Sequence, residues 1–329
     1  MGADIKKAYR RFRQFGGVRL LREYAGMGLV GAMLRRSLSA LFHGRTLKSV
    51  YPALLAVTVP YLLDKYRPLM LRLKEKYNDE STGEAQPVIW SCWLQGIDHA
   101  PALVRACIAS QRMAFPERKH VVLSAETYKD YITLPEYIER KYNEGIIPPA
   151  LFSDLLRLEL LIRHGGTWMD ASVLCTGNNC PGKVLDCDLF MFQYTRPGSR
   201  TFGRISNWFM TARPDNHLLK VLRDLLYQYW YDYDCVMDYY IFHHFFGMIA
   251  AEYPVEISKM PRGYSSVALL LGNWLNDGYN EEWMNRLASI CCFHKTNYRD
   301  SITALRNPHS FCSEIIRRYT IKNNDSTFS

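Results

Sequence analysis

Residues 150–174, ALFSDLLRLELLIRHGGTWMDASVL, decide how this chain is read. Asp154 and Arg157 stand three residues apart and share one face of a helix, while Leu155, Leu158 and Ile162 line another. Gly165 and Gly166 end that helix. Thr167, Trp168 and Met169 then read as a buried strand with Asp170 at its carboxyl end, the edge at which open α/β sheets hold their ligands. Asp170 is the leading candidate for a functional side chain.

Working outward, strand and helix patterns alternate. Pro87–Trp93 and His120–Ser124 read as strands, and Pro101–Met113, Pro135–Asn143 and Ala150–Arg163 as helices. Beyond Asp170, Leu189–Tyr194 and Ile205–Thr211 continue the strands, Asn216–Trp230 and Val236–Ala251 the helices, and Ile290–His294 a last strand. The alternation predicts an α/β fold, a mostly parallel sheet flanked by helices. Helical patterns fill residues 3–77, and the polar stretch Asn78–Gln86 reads as a linker. The expected organisation is a basic helical N-terminal extension over 1–80, an α/β domain over 81–312 and a polar tail over 313–329, frayed from Lys322 onward.

Several function classes lose their support. No Gly-x-Gly-x-x-Gly follows the first strand, no Walker lysine loop is present, and there is no Gly-x-Ser-x-Gly elbow, which argues against dehydrogenase, ATPase and hydrolase assignments. The nine cysteines include no Cys-x-x-Cys pair; Cys175, Cys180 and Cys187 are the closest group and read as reduced thiols, consistent with a cytoplasmic setting. Charged residues recur through the first 23 positions, so no secretory signal is expected, and Tyr51–Leu63, the longest apolar run, is too short for a bilayer.

The charge is uneven: residues 1–80 hold 16 Lys and Arg against 6 Asp and Glu, and the remainder 25 against 26. Ile5, Tyr9 and Phe12 recur at helical spacing among Lys6, Lys7, Arg10 and Arg13, a pattern that suits either an anionic membrane surface or a solvated face of a packed helix. No nucleic-acid-binding motif accompanies the charge.

The segments VIWSCWLQG, LPEYI, SDLLRLELLIRHGGTWMDAS, SNWFM, DYYIFHHFF and FHKTNY, in that order over residues 87–298, resemble the capsular-polysaccharide-synthesis glycosyltransferases. These are related to the group containing the yeast initiating mannosyltransferases and similar to the sugar-transferring domain of large clostridial toxins. The resemblance implies a GT-A fold in which a nucleotide-diphosphate sugar lies over the carboxyl ends of the first strands. A divalent cation, Mn²⁺ or Mg²⁺, would hold the diphosphate. Asp170, Ser172 and His294 would be its ligands, although Asp170-Ala171-Ser172 replaces the familiar Asp-x-Asp and so lacks one carboxylate.

By the same resemblance Asp154 and Arg157 would contact the donor sugar, Trp93 and Gln95 the nucleotide, and Lys295 the β-phosphate. Asn207 and Asp238 would join Asp170 near the anomeric carbon and acceptor. Each has a plainer alternative: an i,i+3 ion pair for Asp154 and Arg157, a core indole for Trp93, a helix-dipole partner for Asp238, and packing residues for His243 and His244. Tyr227, Tyr229, Trp230, Tyr231 and Tyr233 read equally as a sugar-stacking platform or as core. The function implied is hexosyl transfer with retention from a nucleotide-diphosphate donor to a capsule- or lipopolysaccharide-type or lipid-linked acceptor, in the bacterial cytoplasm or at the inner membrane face. A catalytically degenerate glycan-binding or assembly subunit is the alternative.

Overall fold

A computed structural model describes residues 9–10, 12–42, 47–78, 83–179, 183–194, 205–299 and 305–325. Ile5, Lys6, Lys7 and Cys180 lie outside them. The strands are β1 (Val88–Cys92), β2 (Lys119–Leu123), β3 (Gly166–Met169), β4 (Val173–Cys175), β5 (Leu189–Gln193), β6 (Ile205–Ala212) and β7 (Phe293–Lys295). Five form one sheet in the order β2-β1-β3-β6-β5. β1 is parallel to both β2 and β3, and β6 is antiparallel to both β3 and β5, so β6 alone runs against the rest. The fold is thus α/β with a mostly parallel sheet, as the alternation predicts.

The Gly-Gly pair sets how closely the central strands approach. Gly165 and Gly166 have φ of 67° and 91°, in the left-handed region, and a Cβ on Gly166 would stand 2.4 Å from Val88 Cγ1 and 2.6 Å from the Val88 carbonyl oxygen. The Trp90 indole donates to the Gly165 carbonyl at 2.9 Å, tying β1 to the helix–strand turn. β3 is buried on both faces, and its one polar side chain, Thr167, meets Thr211 on β6 with the two hydroxyls 3.0 Å apart.

The chain divides into two compact units: Met1–Asp79 with Thr133–Leu158 and His217–Pro254, and Glu80–Ile132 with Glu159–Asn216 and Val255–Ser329. The described elements of the first unit are helical. Helix Leu47–Lys76 buries Leu62, Tyr66 and Met70 and packs against helices His217–Asp232 and Ile241–Glu252. Tyr66 meets the rings of Tyr229 and Phe245 and donates its hydroxyl to Asp232 at 2.8 Å, and Lys65 pairs with the same carboxylate at 2.8 Å. The N-terminal helices therefore share their unit with residues 133–158 and 217–254. The second unit holds the strands β1 to β7 of the described residues.

Four local expectations change. Ile290 ends a helix, Glu281–Ile290, whose first turn is capped by the Asn280 side chain accepting from Trp283 N at 2.9 Å, so the last strand starts three residues later, at Phe293. The short strand β4 follows Asp170 and pairs with β7 in a separate two-stranded sheet. Helix Ile241–Glu252 begins three residues after Asp238, which precedes it and does not open it. The stretch expected to be a polar tail begins inside helix Phe311–Asp325, because Phe311, Cys312 and Ile315 are buried against helix Ala102–Ala114.

Candidate functional site

The carboxyl ends of parallel strands β1 and β3 lie at one edge of the sheet, and the residues leaving them carry the candidate chemistry. Asp170 leaves β3 partly exposed, its amide donating to the Trp208 carbonyl at 2.8 Å. The Trp168 indole N–H donates to Asp170 Oδ1 at 2.9 Å, and Lys295 Nζ lies 3.0 Å from Asp170 Oδ2. Lys295 also donates to the Ser172 hydroxyl. One ammonium is thus set on the carboxylate of Asp170 and the hydroxyl two residues on.

The turn that presents these groups is fixed from below. Val173 N donates to the Asp170 carbonyl at 2.9 Å, and the buried amide of Gln111 donates to the carbonyls of Val173 at 2.9 Å and Asp170 at 3.3 Å. Ser91, on β1, donates to the Met169 carbonyl at 2.8 Å and lies 3.0 Å from Gln111 Oε1. On the β7 side, the Thr296 amide and hydroxyl both donate to the Ser172 carbonyl, at 2.9 and 2.8 Å. These bonds satisfy backbone groups that burial would otherwise strand, and they hold Asp170 and Ser172 at set positions.

Trp93 follows β1 and packs with Tyr298 beside Ala171, the residue between Asp170 and Ser172. The two rings meet edge to face at 5.1 Å. The Trp93 indole nitrogen is buried without a hydrogen-bond partner, an uncommon arrangement for an N–H that is costly to desolvate. Gln95 is exposed, in the turn closed by Gly96 N donating to the Trp93 carbonyl at 2.8 Å. Asn207 lies on β6, partly exposed, next to the residue whose carbonyl receives the Asp170 amide.

His294 does not join this group. On a strand, neighbouring side chains point to opposite faces, and since Lys295 reaches Asp170 and Ser172, His294 faces the other way. Its ring is fully buried, with Nε2 3.4 Å from Thr176 Oγ1, and burial pushes its pKa down to about 4. Asp170, Ser172 and His294 therefore do not make a metal-ligand set. Among the described residues no group of three or more His, Cys, Asp and Glu is arranged to hold a metal. What remains at Asp170 is one carboxylate and one hydroxyl already facing an ammonium, a donor set poor in the hard anionic oxygens that Mg²⁺ and Mn²⁺ favour.

Asp154, Arg157 and Asp238 belong to the first unit. Arg157 pairs with Asp154 at 3.1 Å, both buried, and its other guanidinium nitrogen reaches Ser153 at 3.5 Å. Asp238 is fully buried; its Oδ1 accepts from Tyr240 N at 3.1 Å and its Oδ2 lies 2.6 Å from Nε2 of half-buried His244. His243 is held neutral, its pKa pushed down to about 4 by burial and by the neighbouring Arg157 cation. The ion pair is thus a buried one, unlike the exposed i,i+3 pair that spacing alone suggests. Of the aromatic group, Tyr229, Trp230 and Tyr233 are core, and Tyr229 donates its hydroxyl to the Cys235 carbonyl at 2.9 Å. Tyr231 alone among them is exposed.

Trp168, Gln111, Ser91 and Tyr298 escape a reading by motif. Tyr298 carried a signal, standing five residues after Phe293 in FHKTNY, whereas Gln111 sits in a helix where a glutamine ordinarily marks the solvent face.

An α/β sheet presenting a charged cluster at the carboxyl ends of its parallel strands defines a ligand-binding class of protein. Residues 43–315 match the family model described as capsular polysaccharide synthesis protein, and the chain belongs to that family. No curated protein matches it significantly. A solved structure titled PaToxG Glycosyltransferase is similar over 80% of this chain and 94% of that one, at 12% identity and a TM-score of 0.38.

Proposed function

We propose that this protein is a glycosyltransferase that moves a sugar from a nucleotide-diphosphate donor to a surface-polysaccharide or lipid-linked glycan acceptor, with retention at the anomeric carbon. Membership of a capsular polysaccharide synthesis family supports the class. The observation that carries the reading is the Lys295 ammonium on Asp170 and Ser172 at the carboxyl edge of β1 and β3.

In the reaction the bond from the anomeric carbon to the β-phosphate oxygen breaks and one from the acceptor hydroxyl oxygen forms on the same face. The acceptor proton passes to the departing phosphate oxygen, so no strong carboxylate base is needed. Lys295 stabilises the charge that grows on the diphosphate, and Asp170, oriented by Trp168, holds that ammonium and meets the sugar. Trp93 and Tyr298 offer flat faces beside the cluster for the nucleotide, with Gln95 at their margin. Asn207, on β6, is assigned to the sugar. The charge stabilisation is assigned to Lys295, the cation paired with Asp170 and Ser172.

The test is release of nucleoside diphosphate from uridine, guanosine and cytidine diphosphate sugars by purified protein, with thermal shift to report binding. One of the donors should be bound and turned over, and Asp170→Ala should abolish turnover while leaving the melting transition in place. Full activity in that variant, or no binding to any nucleotide sugar, overturns the proposal. Binding without turnover returns the protein to the degenerate, glycan-binding alternative.

A further inference from the structure

We infer that helices Val18–Gly26 and Val30–Phe42 form a docking surface that lies on an anionic lipid bilayer, a property separate from the proposed transfer chemistry. Soluble proteins keep large aliphatic side chains scattered when they expose them. Here Val18, Leu21, Val30, Leu34 and Leu38 are all exposed, from 39% for Val30 to 63% for Val18, on two consecutive helices. Val30, Leu34 and Leu38 repeat every four residues and so make one stripe. The other side of each helix is satisfied: Leu20 and Tyr24 are buried, and Val30–Phe42 packs on Leu47–Lys76 within the same unit. The exposed stripe is therefore surplus to folding.

Charge says what covers it. Between positions 5 and 63 the chain has 11 Lys and Arg and a single acidic residue, Glu23. Arg19, Arg22 and Arg35 are exposed on the same two helices, and Arg10 and Arg13 are exposed just before them. Interleaved aliphatic and cationic side chains match the boundary between acyl chains and anionic headgroups, where the Arg stems lie along the apolar layer and the guanidinium groups meet phosphate. A second copy of this chain would bring like charges together, and Tyr24, the one aromatic residue between Val18 and Leu38, is buried, so that stretch offers no ring to stack on nucleic acid bases. Among the described residues no helix is long and apolar enough to cross a membrane, so the surface rests on the bilayer.

The experiment is flotation of the full chain with vesicles of phosphatidylcholine alone and with added phosphatidylglycerol, at low and high salt. The wild type should float with the phosphatidylglycerol vesicles only, and high salt should release it. The pair Leu34→Glu with Leu38→Glu, and separately Arg19→Glu with Arg22→Glu, should each lower partitioning by about tenfold or more. Since all four side chains are exposed, circular dichroism, melting and nucleotide-sugar binding should match the wild type, which keeps failure here distinct from failure of the transferase reading. Wild type that stays off anionic vesicles, equal flotation with neutral ones, variants that float like wild type, or a dimer in solution dispersed by the Leu pair would each overturn the inference.

Discussion

Replacing Lys295 with methionine separates what its ammonium does for folding from what it does for transfer. In the resting protein Nζ lies 3.0 Å from Asp170 Oδ2, a gross attraction of about 5.5 kcal/mol at an effective dielectric of about 20. Both side chains keep roughly a quarter of their surface in water, so desolvation and screening cancel most of it. The net loss on folding should be about 1 kcal/mol. In the proposed transfer the transition state is different, because charge would grow on a leaving diphosphate inside a site closed by donor and acceptor. Deleting one preorganised donor there costs about 3–4 kcal/mol, or about 10²–10³ in kcat. Methionine preserves the length and apolar body of lysine, so steric loss is small. Melting and donor turnover, measured on the same preparation, should therefore diverge: a shift of a few degrees against a loss of two to three orders of magnitude. Addition of EDTA to the wild type should leave donor binding intact, since Lys295 is the cation in place. A variant whose turnover falls less than about tenfold would refute the assignment.

Two further predictions concern the scaffold. Gly166→Ala combines a φ of 91° with a Cβ 2.6 Å from the Val88 carbonyl oxygen, a backbone atom that cannot turn aside. It should lower stability by about 3 kcal/mol or more in urea unfolding, and a loss under about 1 kcal/mol would show that β1 and β3 can separate freely. Acidification should weaken the fold between about pH 6.5 and 4. His243 and His294 are held near 4 by burial, so in that window the unfolded chain binds protons that the folded one refuses. Each contributes up to about 3 kcal/mol of loss. Glu314, kept down to about 2 by Arg317 and Arg318, acts only at lower pH. Urea midpoints should fall from pH 7 toward pH 4.5, less steeply in His294→Gln, and a flat profile would rule the mechanism out.

Much of the sheet was legible because its central strands β1 and β3 are largely buried on both faces and bounded by clear breaks. Val88–Cys92, Gly166–Met169 and Ile205–Ala212 are mostly apolar segments of strand length, and the Gly-Gly turn marks where β3 begins. β4 was not legible: its three residues become a strand by pairing with the distant β7, Cys175 opposite Phe293, and by packing on helix Ala102–Ala114. Helix Glu281–Ile290 did carry a signal, Asn280 followed by Glu281 and Glu282, and the apolar residues at its end were read instead as the start of a strand. Helix Phe311–Asp325 escaped because its apolar face is narrow, with Phe311, Cys312 and Ile315 packed in a cluster supplied by Leu103, Cys107, Leu271 and Met284.

The candidate site teaches a narrower point about adjacency. His294 and Lys295 are neighbours in sequence, and a reading by type gives the imidazole to a metal and the ammonium to a phosphate in one cleft. A strand forbids that pairing, since consecutive side chains leave on opposite faces. Once β7 is paired to β4 with Val173 against Lys295, Lys295 alone faces the turn at Asp170 and Ser172, and His294 is committed to the buried side near Thr176. The same rule makes the site's composition a matter of strand register: a slip of one residue would bring His294 to Asp170 and bury Lys295. Burying an unpaired ammonium costs far more than burying a neutral imidazole, so electrostatics and the hydrogen bonds from Thr296 to the Ser172 carbonyl enforce the observed register together. The cation at this sheet edge is thereby chosen by the pleat of a three-residue strand.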